Sequence, residues 1–180
     1  RCDAVVKELA KHNIKSSSQR RGLLQTSECA LSFAALRYLV DRNDSLAMAE
    51  IMHLAPEDGR CYEWLAQWLS KDREELRGSS SVLCSIDQVR PRLLHMTPLE
   101  SLESAICVSG VMETIRSWGN ARIRLSNLDA LRGMAMRYED ICMAQRRAAT
   151  PAGLVTFLLR EVPDGGAQPP ITDSDAINVL

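Results

Sequence analysis

The sequence predicts a mostly α-helical protein, an irregular multi-helix domain with a short extended segment near each end. Three observations carry this. Leu, Ala, Met, Glu and Arg dominate, whereas aromatics make up only 4% and there are 9 Gly and 7 Pro in 180 residues; the dominant types are good helix formers. Apolar residues recur at helical spacing, as in Leu31, Ala34, Ala35, Tyr38 and Leu39, which is the i, i+3, i+4, i+7, i+8 stripe of a packed helix. Start signals precede several such stripes, the clearest being Thr97-Pro98-Leu99-Glu100, with a cap, a proline at the first position and an acid at the third. A chain of this length can bury one substantial core or two small ones.

In chain order, Cys2 to His12 alternates at helical period, with Ala4, Val5 and Leu9 opposite Lys7, Glu8 and Lys11, and Asn13 can close the helix in a left-handed conformation. Ile14 to Ser18 reads as extended and Gln19-Arg20-Arg21-Gly22 as a basic turn. Thr26 or Ser27 caps the next helix, with Glu28 near its positive end. Residues 41–44 stop it, and Asn43 or Asp44 caps a third helix carrying Leu46, Ala49, Ile51, Met52 and Leu54. Pro56 ends that helix because proline disfavours helical geometry in the residue before it. A fourth helix is expected over 58–70 with Tyr62, Trp64, Leu65, Trp68 and Leu69 on its apolar side, followed by a charged continuation to Arg77.

Gly78-Ser79-Ser80-Ser81 reads as a flexible break. Val82 to Leu94 is a further helix, cut before Pro91. Helices from Pro98 to about Ser109 and on to Trp118 lead to a Gly119-Asn120 turn. Ser126 or Asn127 is expected to open the longest helix, with Leu128, Leu131, Met134, Ala135, Tyr138, Ile141 and Cys142 facing inward. Gly133 weakens it by about 1 kcal/mol relative to Ala without breaking the period. Thr150-Pro151 starts the last helix, which ends near Glu161. A Gly/Pro loop over 163–170 precedes Asp175 to Leu180, an apolar run with strand character.

Composition and motifs exclude more than they assign. The formal charge of −1 gives no global attraction for nucleic acid, so any contact would use a local patch. The six cysteines form no Cys-x-x-Cys pair, which argues against a disulfide framework or a zinc site and for reduced thiols in the cytoplasm. Cys29, Cys107 and Cys142 sit in apolar helical phases and are expected to be buried. No apolar run approaches the ~20 residues of a membrane span. There is no phosphate-binding Gly-x-x-x-x-Gly-Lys loop and no Gly-x-Ser-x-Gly elbow. His12, His53 and His95 lack ligand spacing, so no metal site is expected. Glu74-Glu75 and Glu139-Asp140 are adjacent acids, which do not face each other on a helix, and read as solvated faces.

Cations are the remaining candidates. Arg20 and Arg21 lie beside Lys15; Arg116, Arg122 and Arg124 cluster in sequence, with Arg132 and Arg137 further along; Arg146-Arg147 end the long helix. Either these are solvated side chains and complements of helix dipoles, or several converge on one face to pair with phosphates. Arg122 and Arg124 are the best placed for the second role, because backbone N–H groups at a helix start add to phosphate binding.

Two stretches carry a family resemblance. Gly22-Leu23-Leu24-Gln25-Thr26-Ser27-Glu28, then Leu36-Arg37-Tyr38-Leu39 running to Asn43-Asp44, resembles the start of the inserted helical (2B-type) subdomain of UvrD/Rep/RecB-like superfamily 1 DNA helicases. Arg124-x-x-Asn127-Leu128-x-x-Leu131, followed by Thr150-Pro151-x-Gly153-Leu154, resembles the closing helices of the RecB/AddA branch, with Leu154 where the family often has Phe. The duplex-gripping Pro-x-Arg-Gly-Ile-Gly turn of UvrD and Rep relatives is replaced here by Pro56-Glu57-Asp58-Gly59-Arg60, so that grip is not carried over.

The resemblance implies three parts: 1–21 as a flank of an α/β motor (2A-type) domain, 22–162 as the inserted subdomain, and 163–180 as loop and return strand. In the family such a strand leads into a Thr-x-His-x-x-Lys-Gly-Leu-Glu ATPase motif, so the chain is expected to be a portion of an ATP-dependent helicase or exonuclease. ATP and Mg would belong to that parent and not to this portion, which has no catalytic residue of its own. Duplex or junction DNA, the motor domains and a nuclease or helicase subunit are the implied partners, and Arg20, Arg21, Arg116, Arg122 and Arg124 are the expected DNA contacts. The alternative is a free-standing helical protein-interaction domain with no nucleic-acid role.

Overall fold

A computed structural model of the chain describes residues 16–18, 22–55, 63–161 and 177–179. The helix expected over 2–12, the basic turn at Arg20 and Arg21, and the 163–170 loop lie outside the described residues. The described residues form nine α-helices: α1 Ser27–Val40, α2 Ser45–Leu54, α3 Glu63–Ser70, α4 Arg73–Ser79, α5 Ser81–Val89, α6 Pro98–Val108, α7 Val111–Trp118, α8 Ala121–Ala144 and α9 Pro151–Glu161. Two 3₁₀ turns, Leu23–Gln25 and Arg90–His95, and two short strands, β1 Ser16–Ser18 and β2 Ile177–Val179, complete it. The mostly helical class expected from the sequence holds.

The helix α1 is the hub. From Glu28 to Leu39 every residue except Ala30 and Arg37 is buried, which is what a helix apolar on all sides requires. It touches α2, α5, α6, α7, α8 and α9. Its corner with α2 is fixed by charge. Arg37 donates from Nε and Nη2 to the two oxygens of Asp44, each at 2.9 Å, and the same carboxylate accepts from Ala47 N at 2.8 Å as the N-cap of α2. A bidentate guanidinium–carboxylate pair that also caps a helix sets both distance and angle.

Several local expectations are corrected. The 78–81 stretch is no flexible break: α4 runs to Ser79, Ser80 caps α5 through Leu83 N, and α5 begins at Ser81. Serine is a strong N-cap, so a Ser-rich stretch here starts a helix. The helix over 82–94 ends at Val89 and tightens into the 3₁₀ turn with Pro91 in its first turn. Thr26 precedes α1 but its hydroxyl donates to Leu23 O at 2.8 Å and does not cap it. The longest helix, α8, begins at Ala121 and not at Ser126 or Asn127, because Asn120 itself takes the left-handed turn position at φ 54°. Cys107 is exposed, whereas Cys29 and Cys142 are buried as expected. The apolar side of α3 is covered only in part: Trp68 packs against the core, whereas Leu65 is 46% and Leu69 79% exposed.

The strands lie side by side. β1 and β2 pair in parallel, with Ser16 opposite Ile177, Ser17 opposite Asn178 and Ser18 opposite Val179. Parallel neighbours need a crossover connection, and the whole helical body is that crossover.

Candidate functional site

The first and the longest helices meet at a buried carboxylate. Glu28 in the first turn of α1 is 1% exposed. Its Oε2 accepts from Arg124 Nη1 at 2.5 Å and its Oε1 from Asn127 Nδ2 at 2.7 Å. Arg124 also donates from Nε to Gly119 O at 3.0 Å, and its guanidinium lies 5.1 Å from the centre of the Trp118 ring. Behind this group the Cys29 thiol donates to Asn127 O at 3.5 Å, and burial pushes that thiol from 9.0 up to about 12. The Gly22-to-Glu28 and Arg124-x-x-Asn127 stretches, far apart in sequence, are thus joined directly.

This geometry divides the expected cations. Arg124 is engaged by Glu28, Gly119 and Trp118, so it braces the corner between α7 and α8. Arg132 pairs with Glu103 and Asp129. Arg116, near the end of α7, and Arg122, in the first turn of α8, are exposed. The first turn of α8 holds no acid, and Asn120 makes no side-chain cap, so the positive end of the longest helix is open to an anion. Arg147 donates to Gln145 Oε1 at 3.1 Å beyond the last turn of α8.

The acids also differ from expectation. Glu139 is not a solvated residue: its Oε1 accepts from Leu99 N at 2.8 Å, tying α8 to the first turn of α6. That turn is further held by the expected capping box, Glu100 N to Thr97 Oγ1 at 3.2 Å and Thr97 N to Glu100 Oε2 at 2.8 Å. Glu74 pairs with Arg42 and Arg77. These contacts join residues 29 or more positions apart, or need a particular rotamer, and no periodic pattern announces them.

An open cleft of about 620 Å³ lies between the Arg90–His95 turn and α6, lined by Arg92, His95, Met96, Leu99, Glu100, Glu103 and Ser104. Three of its polar groups are engaged by neighbouring side chains or backbone. Glu100 closes the capping box, Glu103 pairs with Arg132, and the Ser104 hydroxyl donates to Met96 Sδ at 3.7 Å. Among the described residues no group of three or more His, Cys, Asp or Glu could hold a metal ion, and no helix is long and apolar enough to cross a membrane.

Comparison with the models of known protein families found no match, nor did comparison with curated protein sequences.

Proposed function

We propose that the chain is the accessory helical subdomain (2B-type) of a UvrD/RecB-like ATP-dependent DNA helicase or exonuclease, carried with short flanks of the motor domain that hosts it. The observation that carries this reading is the parallel pairing of β1 with β2. A domain inserted into a host sheet must leave and return through neighbouring strands. A pair of three-residue strands is too small to stand alone, and parallel strands occur almost only in sheets covered on both faces, so this pair fits a larger sheet. The meeting of Glu28 with Arg124 and Asn127 adds support, because it makes one unit of the two stretches that resemble the family.

In this role the chain performs no chemistry. It positions duplex or junction DNA, regulates the motor by moving as a body, or binds a partner subunit. ATP and Mg act in the parent protein. DNA contact falls to Arg116 and Arg122 beside the open start of α8, with Arg20 and Arg21 as further contacts near the motor flank. Reading the coding sequence onward from Leu180 tests the family directly. A Thr-x-His-x-x-Lys-Gly-Leu-Glu type motif within a few residues is expected, and its absence overturns the reading.

One observation favours a second reading, a protein-interaction domain without a nucleic-acid role. Beside Trp68, which packs against the core, Leu65 and Leu69 leave apolar surface of α3 exposed. Pull-down of a partner by the wild-type chain, lost in Leu65→Asp/Leu69→Asp and accompanied by no DNA binding, would favour it.

A further inference from the structure

The outward side of α8 repeats at helical spacing. Leu125, Asp129, Gly133, Met136, Asp140 and Met143 follow one another in steps of four, four, three, four and three residues, so all six share one side of the helix. The buried row of Leu128, Leu131, Ala135, Tyr138 and Cys142 occupies the opposite side. Leu125 is 36%, Met136 54% and Met143 75% exposed, and Asp129, Gly133 and Asp140 are exposed with them. A single exposed apolar residue needs no explanation, but three aligned along ~27 Å of one helix form a stripe.

Gly133 stands near the middle of this stripe and of the helix. Its φ is not positive, so no left-handed turn calls for glycine. A side-chain carbon added there would meet nothing within 4 Å, so no contact inside the chain calls for it either. Glycine in a helix interior is destabilising relative to alanine. What it offers in return is a place where a second backbone can come close from outside.

We propose that this face packs against the same face of a second copy of the chain, the two α8 helices running antiparallel and crossing at Gly133. A two-fold contact uses one patch twice, so the patch must complement its own reversal, and this one does. Asp129 lies four residues before Gly133 and Arg137 four after it, so reversal sets the acid of each copy level with the arginine of the other. The Asp129 side chain is 72% exposed despite its contact with Arg132, and Arg137 is exposed. Leu125 lies eight residues before Gly133 and Met143 ten after it. Reversal brings these two within about 3 Å of each other along the axis, on the same edge of the face, so a Leu–Met contact closes each end. The two Met136 side chains flank the crossing. Asp129 and Asp140 would repel phosphates, so the face suits a protein and not DNA, and it is independent of the DNA-contact reading at Arg116 and Arg122.

The test is sedimentation velocity of the 180-residue chain across a concentration series. One helix from each copy makes an interface at the small, transient end of the range, so a dimer should build up as the chain is raised toward roughly 100 μM. Gly133→Leu places a better helix former in open space, so it should fold at least as well as the wild type and remain a monomer throughout. Asp129→Arg and Arg137→Asp each set like charges against each other across the two-fold and should weaken the dimer. Mixing these two variants should restore it, because every contact in the mixed pair again joins an acid to an arginine; repair by mixing cannot come from within one chain. A chain that stays monomeric over the whole series, a dimer undiminished in Gly133→Leu, or charge variants that fail to rescue each other overturns the proposal. So does a monomer whose Gly133→Leu variant loses a different protein or DNA, since the face then serves another occupant.

Discussion

The Oε2 of Glu28 lies 2.5 Å from Nη1 of Arg124, a contact that spans 96 residues of chain. With Asn127 on the other oxygen at 2.7 Å, both acceptors of a carboxylate at 1% exposure are engaged. Removing one partner of a buried charge pair strands the other, at a cost of about 3–5 kcal/mol. Arg124→Ala, which strands the buried Glu28 carboxylate, should therefore lose about that much in urea unfolding. Asn127→Ala, which removes a neutral donor, should lose about 1–3 kcal/mol. Equal, small losses in both variants would mean the contact is not formed in solution.

Gly153 sits against Tyr138. A side-chain carbon there would overlap the Tyr138 hydroxyl and lie 3.0 Å from Thr150 Oγ1. Overpacking of this kind costs about 1–3 kcal/mol. Gly153→Ala should be destabilised by that amount, and Tyr138→Phe, which removes the hydroxyl but keeps the ring packed 5.4 Å from Phe157, should relieve most of it in the double variant. A double-mutant cycle measures this coupling.

The Cys29 thiol gives a pH dependence whose sign is fixed. Its pKa rises from 9.0 to about 12 on folding, chiefly by burial, so the folded state keeps a proton that the unfolded state releases. The contribution is fully present below pH 9 and is lost as pH rises from there to 12, at up to about 1.4 kcal/mol per unit. Cys29→Ala should flatten that slope in denaturant titrations at pH 9 to 10.5. At pH 8, maleimide should label the exposed Cys107 in the native protein and reach Cys29 only on unfolding.

The cations should separate by role. If Arg116 and Arg122 meet phosphates, each change to Ala should lower the salt slope of DNA binding by about 0.9 and weaken binding alike on all sequences. Arg124→Ala should instead lower stability, since its guanidinium is engaged by Glu28, Gly119 and Trp118. Fluorescence anisotropy across a salt series, beside unfolding curves, distinguishes the two. An unchanged slope in the Arg116→Ala/Arg122→Ala double variant would remove the DNA contact from this corner.

What the sequence revealed follows from distance along the chain. The capping box of α6, the Asp44 cap of α2, the start of α9 at Pro151 and the inward faces of α1 and α8 are all local patterns, and all are found. Asn127 misled as a helix start because its amide serves a carboxylate 99 residues away. Glu139 misled as a solvated acid because the N–H it accepts from lies 40 residues back. Ser79 and Ser80 misled by composition, since serine punctuates both loops and helix starts. On α3, Trp68 packs against the core while Leu65 and Leu69 stay exposed, because periodicity shows that a face is apolar and not how much of it a partner covers.

The long span of the Glu28 contact has a consequence for biosynthesis. Ribosomes add about 5–20 residues per second, so Glu28 emerges on the order of 5–20 s before Arg124 does. During that interval α1, the hub of the body, has neither its ion-pair partner nor the α8 and α9 surfaces that later enclose it. The nascent helix must wait with its most apolar surface uncovered until the longest helix has left the exit tunnel. Slowing translation between the codons for Val40 and Ala121 would lengthen that exposure and raise the demand for a chaperone that holds apolar helices.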